Sequence, residues 1–180
     1  MKKAGIIILV LLGLAVLWGI LTYNKFTKQE EQMTQTWSQV ENVYQRRMEL
    51  VPSLINVVKA YSAYENRALV EVLESRAVNM GALRVNTEST QEQLNNFDQA
   101  QQNLGTAIND VIVSVENYPE LKAAEAFQTF LKQYEGSENR ILTERQRFNE
   151  AVQQYNSSVK RFPSNLIANM FGFEEHPYFN

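Results

Sequence analysis

The stretch from Phe127 to Phe162 reads FQTFLKQYEGSENRILTERQRFNEAVQQYNSSVKRF. Within it Phe127, Leu131, Tyr134, Glu138, Ile141, Arg145, Phe148, Val152, Tyr155, Val159 and Phe162 follow one another at alternating steps of three and four. That spacing holds a narrow stripe on one side of an α-helix, suited to knobs-into-holes packing at crossing angles near ~20°. Upstream, Leu94, Phe97, Gln101, Leu104, Ile108, Val111, Val115 and Tyr118 keep the same rhythm. Phe26, Met33, Trp37, Val40, Tyr44 and Met48 form a stripe interrupted by Glu30, and Leu54, Val58, Tyr61, Leu69, Val72 and Leu73 form another. Pro52, Gly81, Pro119 and Pro163 punctuate these segments, and Ser89 or Thr90, with Glu92 nearby, offers capping chemistry for the third. The pattern predicts an all-α protein with a long antiparallel up-down four-helix bundle over residues 24–162. An extended dimeric coiled coil uses the same spacing, but the breaks favour folding within one chain.

Composition agrees with helices. Seven Gly and four Pro in 180 residues are too few for the frequent turns of a sandwich or barrel. No Cys and a single His remove disulfide scaffolds, thiol chemistry, zinc ribbons and His-based triads. At the N-terminus, Ala4 to Tyr23 is an uncharged run rich in Ile, Leu and Val, about 30 Å long as a helix and sufficient to cross a bilayer. Residues 1–23 therefore read as a membrane anchor, with Trp18 and Tyr23 near its downstream interface. A cleaved signal peptide is the rival reading, but the run is too long and no small-x-small site follows Leu17. Apart from Lys2 and Lys3, all the charges follow the span, so 20 acids against 15 bases leave the remainder at −5. That balance argues against nucleic acid as a partner. Lys2 and Lys3 tie with Lys25 and Lys28 in the positive-inside count and, as a two-lysine start, mildly favour an N-in anchor.

Arg46-Arg47-Met48-Glu49-Leu50-Val51-Pro52-Ser53-Leu54-Ile55, then Tyr61 and Glu65, then Ser75-Arg76-Ala77, form one block of landmarks. Tyr118-Pro119-Glu120-Leu121-Lys122-Ala123, Glu138-Asn139-Arg140-Ile141, Arg145, Phe148-Asn149, Tyr155-Asn156 and Phe162-Pro163 form a second, followed by aromatic residues at Phe171-Gly172-Phe173 and Tyr178-Phe179. Together they resemble the LemA family over nearly the whole chain. Glu49 and Ser53 replace the family's usual Asp and Asn, and Tyr64 stands where a His is common. The resemblance implies a bacterial, membrane-anchored antiparallel helical bundle, and it carries no active site with it. It also implies an N-terminus outside the cell, opposite to the preference from Lys2 and Lys3, so the side of the membrane facing the bundle stays open.

Glu138 and Arg145 sit on the apolar seam of the last long segment, and Glu65 and Arg76 belong to the second segment. Charges in such places require pairing or solvation. These four are read as a polar layer that fixes register, or else as a ligand or proton site or as side chains that snorkel to solvent, with partners one to two turns away or at Gln101 or Glu41. Carboxylates such as Glu65, Glu71, Glu74 and Glu138 lack the Glu-x-x-His pairs of a di-iron bundle, so no metal or cofactor is expected. No phosphate-cradling Gly loop or nucleophile elbow is present, and no catalytic residue is assigned. Arg46 and Arg47 point in different directions on a helix, one suited to a polar core and the other to solvent or a partner. The tail, residues 163–180, concentrates Leu166, Ile167, Met170, Phe171, Phe173, Tyr178 and Phe179. It is expected to fold back from Leu166 to Phe173 over the base of the bundle, or to lie in the headgroup layer or receive a partner. His176 reads as a solvated tail residue.

The functional expectation is a non-catalytic scaffold or protein-interaction module, single-pass in the bacterial plasma (inner) membrane, whose partners are the membrane and other envelope proteins. The alternative is a ligand-binding sensor or enzyme using the polar core. A deep polar pocket reaching Glu65, Glu138 and Arg145 would favour the sensor, and a closed seam the scaffold.

Overall fold

The computed structural model describes residues 2–60, 66–82 and 85–179. Among them the chain is all-helical: α1 (Lys2–Lys59), α2 (Asn66–Ala82), α3 (Gln91–Val115), α4 (Pro119–Ala123), α5 (Glu125–Lys160) and α6 (Ser164–Phe171). The 3-4 stripes are the buried faces of α3 and α5 as far as Val159, while Phe162, the last residue of the stripe read in the sequence, lies beyond α5 and is exposed. Leu94, Phe97, Gln101, Leu104, Ile108, Val111 and Val115 are buried on α3, and Phe127, Tyr134, Ile141, Phe148, Val152, Tyr155 and Val159 on α5. Tyr61 and Glu65 lie outside the described residues.

α1 pairs with α5 along most of their shared length, and the partners show the direction. Glu30 meets Tyr155, Trp37 meets Phe148, and Arg47 meets Glu138, so one number falls as the other rises. The gap in the first stripe is thereby explained: the Tyr155 hydroxyl donates to Glu30 Oε1 at 3.0 Å, which gives the carboxylate a partner beside the apolar seam. α3 starts with Thr90, whose side chain accepts from the Gln93 backbone N–H while the Gln93 side chain accepts from the Thr90 N–H. Gln93, rather than Glu92, completes this capping box. Asn79 is buried near the end of α2, where its Nδ2 donates to the Ala100 carbonyl at 2.8 Å and ties α2 to α3.

The expected break at Pro52 is absent, because α1 continues through it to Lys59. Pro52 has no N–H to donate to the carbonyl four residues back, which belongs to Met48. Arg76 of α2 supplies the missing donor: its Nε lies 3.2 Å from the Met48 oxygen. Tertiary structure thus satisfies the acceptor that the proline strands, and α1 ends only at Lys59.

Three apolar clusters follow one another along the molecule. The farthest from the N-terminal run includes Val51, Leu54, Val58, Val72, Leu104, Ile108, Phe127 and Phe130. The middle one holds Met33, Trp37, Tyr44, Phe97, Phe148, Val152 and, unexpectedly, Phe179. The third comprises Phe26, Tyr155, Val159 and Ala168, with Ile167 and Phe173 packed on it. Below Phe26 the residues of α1 are almost all exposed, and this helix is the one long and apolar enough to cross a membrane among the described residues.

The tail does more than cover the base. After Gly172, whose φ of +76° is the left-handed conformation that a glycine adopts without a Cβ clash, the chain climbs back along α5. Asn156 donates to the His176 carbonyl at 2.9 Å and accepts from the His176 N–H at 3.0 Å. Asn149 does the same for Phe179, at 2.8 and 2.9 Å. Seven helical residues rise about 10.5 Å and three extended residues about 10 Å, so the two clamps match in spacing. The Phe179 ring stacks on Trp37 at 5.7 Å and meets Phe148 edge-on at 5.6 Å.

Two outcomes follow for folding. Arg76→Met should cost about 1–3 kcal/mol by stranding the Met48 carbonyl, and much less in a Pro52→Ala background that restores the helical donor; urea unfolding of the four chains measures the coupling. Phe179→Ala should cost about 3 kcal/mol, read in the same way, and Asn149→Ala should cost less once Phe179 has been truncated.

Candidate functional site

Between the far and middle apolar clusters lies a layer of polar side chains from three helices. Arg47 of α1 is only 3% exposed. Its Nη1 donates to Glu138 Oε1 of α5 at 3.1 Å, and its Nη2 donates to the Gln101 carbonyl of α3 at 2.7 Å and to the Gln101 side-chain oxygen. The guanidinium also lies 5.3 Å from the centre of the Tyr44 ring. α3 passes close to the guanidinium at Gly105, where a Cβ would stand in ordinary van der Waals contact, 3.5 Å from Arg47 Nη1.

One to two turns along α5, Arg145 pairs with Asp98 of α3 and donates to the Tyr44 hydroxyl at 3.2 Å. Its guanidinium covers the Phe179 ring at 4.7 Å, so the last part of the tail is joined to the layer. Asp98 also accepts from Gln102 Nε2 at 3.0 Å. Burial works against the charged form of Arg145, but the Tyr44 phenol and the Asp98 carboxylate outweigh it and hold its pKa above the ordinary value. Burial pushes the Tyr44 phenol up, and it pushes Tyr134 up to about 12 with help from the Glu138 carboxylate. Both phenols are therefore neutral hydrogen-bonding groups at physiological pH. The charges form two opposite pairs, and a cleft of about 320 Å³ opens beside them, lined by Arg47, Asp98, Gln101, Tyr134, Glu138 and Arg145 among others.

Of the residues singled out in the sequence, Glu138 and Arg145 lie in this layer with Gln101; Glu138 pairs with Arg47, from the arginine pair of which one was suited to a polar core, whereas Arg145 pairs with Asp98, which was not proposed for it. Arg47 joins them, while Arg46, its neighbour, is exposed. Arg76 lies elsewhere, on the Met48 carbonyl. Glu65 is outside the described residues. In the tail, Phe173 is half-buried against Tyr23 and Phe26, Phe171 touches Tyr23 but is 56% exposed, and Leu166 is 54% exposed. His176 is not fully solvated: its Nδ1 lies 2.7 Å from the Thr87 carbonyl oxygen and its ring 5.1 Å from that of Tyr155.

Sequence reasoning missed Asp98, Tyr44 as a hydrogen-bonding group, and the paired clamps Asn149 and Asn156. The clamps had a readable signal, an aromatic-Asn pair repeated at seven residues. Asp98, one place beyond the seam residue Phe97, had none. Among the described residues no three His, Asp or Glu side chains converge in a way that would hold a metal ion. The layer therefore offers charge-assisted hydrogen bonding and a polar cleft, without a nucleophile beside a base.

The chain matches the LemA family over residues 36–180 and belongs to that family. It is 24% identical over 177 residues to magnetosome proteins MamQ 1 and MamQ 2 of Paramagnetospirillum magneticum, covering 89% of this chain. It spans 65% of the length of each of those relatives. The MamQ protein of Magnetospirillum gryphiswaldense is 28% identical over 76 residues, covering 42% of this chain and 28% of that protein.

Arg145→Met should destabilise by about 3 kcal/mol because it leaves Asp98 half-buried without its partner, and Asp98→Asn in the same chain should recover much of the loss. A double-mutant cycle by denaturant unfolding reads both. The raised phenols set an alkaline limit. Tyr134 binds its proton more tightly folded than unfolded, so its contribution is whole below about pH 10 and is lost as the pH rises through about 12. The shift of about two units corresponds to roughly 2–3 kcal/mol, so the fall in stability above pH 10 should be shallower for Tyr134→Phe.

Proposed function

We propose that this chain is a membrane-anchored, non-catalytic helical bundle of the bacterial envelope that acts as a scaffold or protein-interaction module. In this reading residues 1–23 anchor it as a single pass in the plasma membrane. Residues 24–162 form an antiparallel four-helix bundle built from α1, α2, α3 and α5, and residues 163–180 form the tail. The observation that carries the reading is α1 itself, one unbroken helix in which an apolar run exposed over most of its length passes directly into a buried core stripe. Exposed apolar residues on this scale have no aqueous role, and a bilayer is the solvent they fit. The polar layer supports a structural part for its charges, since each is paired within the chain and ties helices together. The matched relatives are named for a cell structure and not for a reaction.

A ligand-binding sensor is the second reading, favoured by the cleft that reaches Arg47, Glu138 and Arg145. Crosslinking and affinity recovery from native membranes separate the two. A scaffold should remain in the pellet after carbonate extraction and recover the same partner proteins with wild-type chain and with Glu138→Gln. Release by carbonate, or the absence of any partner specific to this chain, defeats the scaffold; partners recovered only with an intact Glu138 favour the sensor.

A further inference from the structure

α6 is eight residues long and its apolar surface is only partly used inside the protein. Ala168 is buried, and Ile167 reaches α1, where its Cδ1 comes 3.5 Å from the position of a Cβ on Gly19. Phe171 meets Tyr23 with ring centres 5.0 Å apart. α6 therefore lies against the apolar run, with Ile167 four residues inside its end at Tyr23, a depth of about 6 Å along the helix. Interfacial helices bury their apolar faces about 5–10 Å into the boundary between headgroups and acyl chains.

The exposed side chains follow the same division. At 100° per residue, Leu166, Met170, Ile167 and Phe171 fall on one arc of α6 and Asn165 and Asn169 on another. Leu166 and Met170 are 54% and 72% exposed, and Phe162, just before the helix, is more exposed still. Between α6 and α1 runs an apolar groove of about 560 Å³, lined by Leu12, Val16, Gly19, Ile20, Met170 and Phe171 among others. Its α1 wall is the surface of the span itself, since Leu12, Val16 and Ile20 are exposed in the same way as the rest of that run. No boundary in chemistry separates the groove from the lipid-facing surface. Whatever solvates one continues into the other.

We propose that α6 is a membrane-inserted helix in the leaflet next to the bundle, and that phospholipid acyl chains fill the groove between α6 and the apolar run of α1. The proposal rests on the reading of that run as membrane-spanning. α6 is then part of the membrane domain, entered from the end of α5 and left through Gly172 when the tail climbs back to Phe179.

The chain has no cysteine, so single substitutions carry a nitroxide cleanly. Leu9→Cys, Met170→Cys and Gln133→Cys, each in the full chain reconstituted at high dilution into phosphatidylcholine and phosphatidylglycerol vesicles, are compared by relaxation with oxygen and with a water-soluble nickel chelate. The expected result is that Met170 resembles Leu9, with an oxygen-to-nickel ratio several-fold above that of Gln133. If Leu9 is lipid-exposed but Met170 is as open to nickel as Gln133, α6 lies in water and the proposal is wrong while the span stands. A Met170 label shielded from both reagents also overturns it, with spin–spin broadening identifying a second copy as the cover. If Leu9 itself is aqueous, the spanning reading has failed first.

Discussion

The buried guanidinium of Arg47 is the constraint around which the long helices are arranged. An ion at this depth is tolerable only with close partners, and those partners sit on two other helices, Gln101 on α3 and Glu138 on α5. Sliding any one of the three by a turn, about 5.4 Å, would break these bonds and leave the charge in apolar surroundings. Hydrophobic stripes repeating at three and four residues tolerate such slips, because every register buries an equivalent surface. The layer at Arg47 makes one register different from the others. It stands between two apolar clusters, and Arg145 with Asp98 extends it toward the tail.

The tail is bound by a second device, this one made of amides. Phe148-Asn149 and Tyr155-Asn156 each place an aromatic ring in the core and, one residue on, an amide that holds both backbone groups of a tail residue. Family landmarks that look unrelated in the sequence, the two aromatic-Asn pairs and the closing Tyr178-Phe179, are therefore parts of one attachment. Gln91 and Thr87, which contact Tyr178 and His176, join the approach to α3 to it as well. The Arg145 guanidinium over Phe179 then links the attachment to the polar layer.

The helices were legible in the sequence where burial is governed by period alone. On α3 and α5 the stripe read at three-four spacing is the stripe that faces inward, because apolar packing selects most of its positions and Gln101, Glu138 and Arg145 interrupt it only as the polar layer. Pro52 misled because its local cost is real while its remedy, Arg76, is 24 residues away and visible only once the fold is known. Glu138 and Arg145 declared themselves as charges on a seam, and so could Arg47, which lies three residues after Tyr44 and four before Val51 on the buried stripe while Arg46 lies off it; Asp98, at the seam's edge, did not. Phe179 looked like any terminal aromatic residue, since its burial depends on two amides whose spacing matters only against an extended chain.

The continuity of α1 through Pro52 has a mechanical consequence. A helix of 58 residues is a rod about 87 Å long, and no turn, glycine pair or proline break separates its apolar end from the part packed against α5. Whatever grips the apolar end therefore sets the orientation of the whole body with no universal joint between them. Turning the grip by one residue's worth of rotation, about 100°, would point a different flank of the protein at its surroundings, and tilting it by about 10° would swing the far end by roughly 9 Å over a lever of about 50 Å. The protein is a mast and not a tethered buoy.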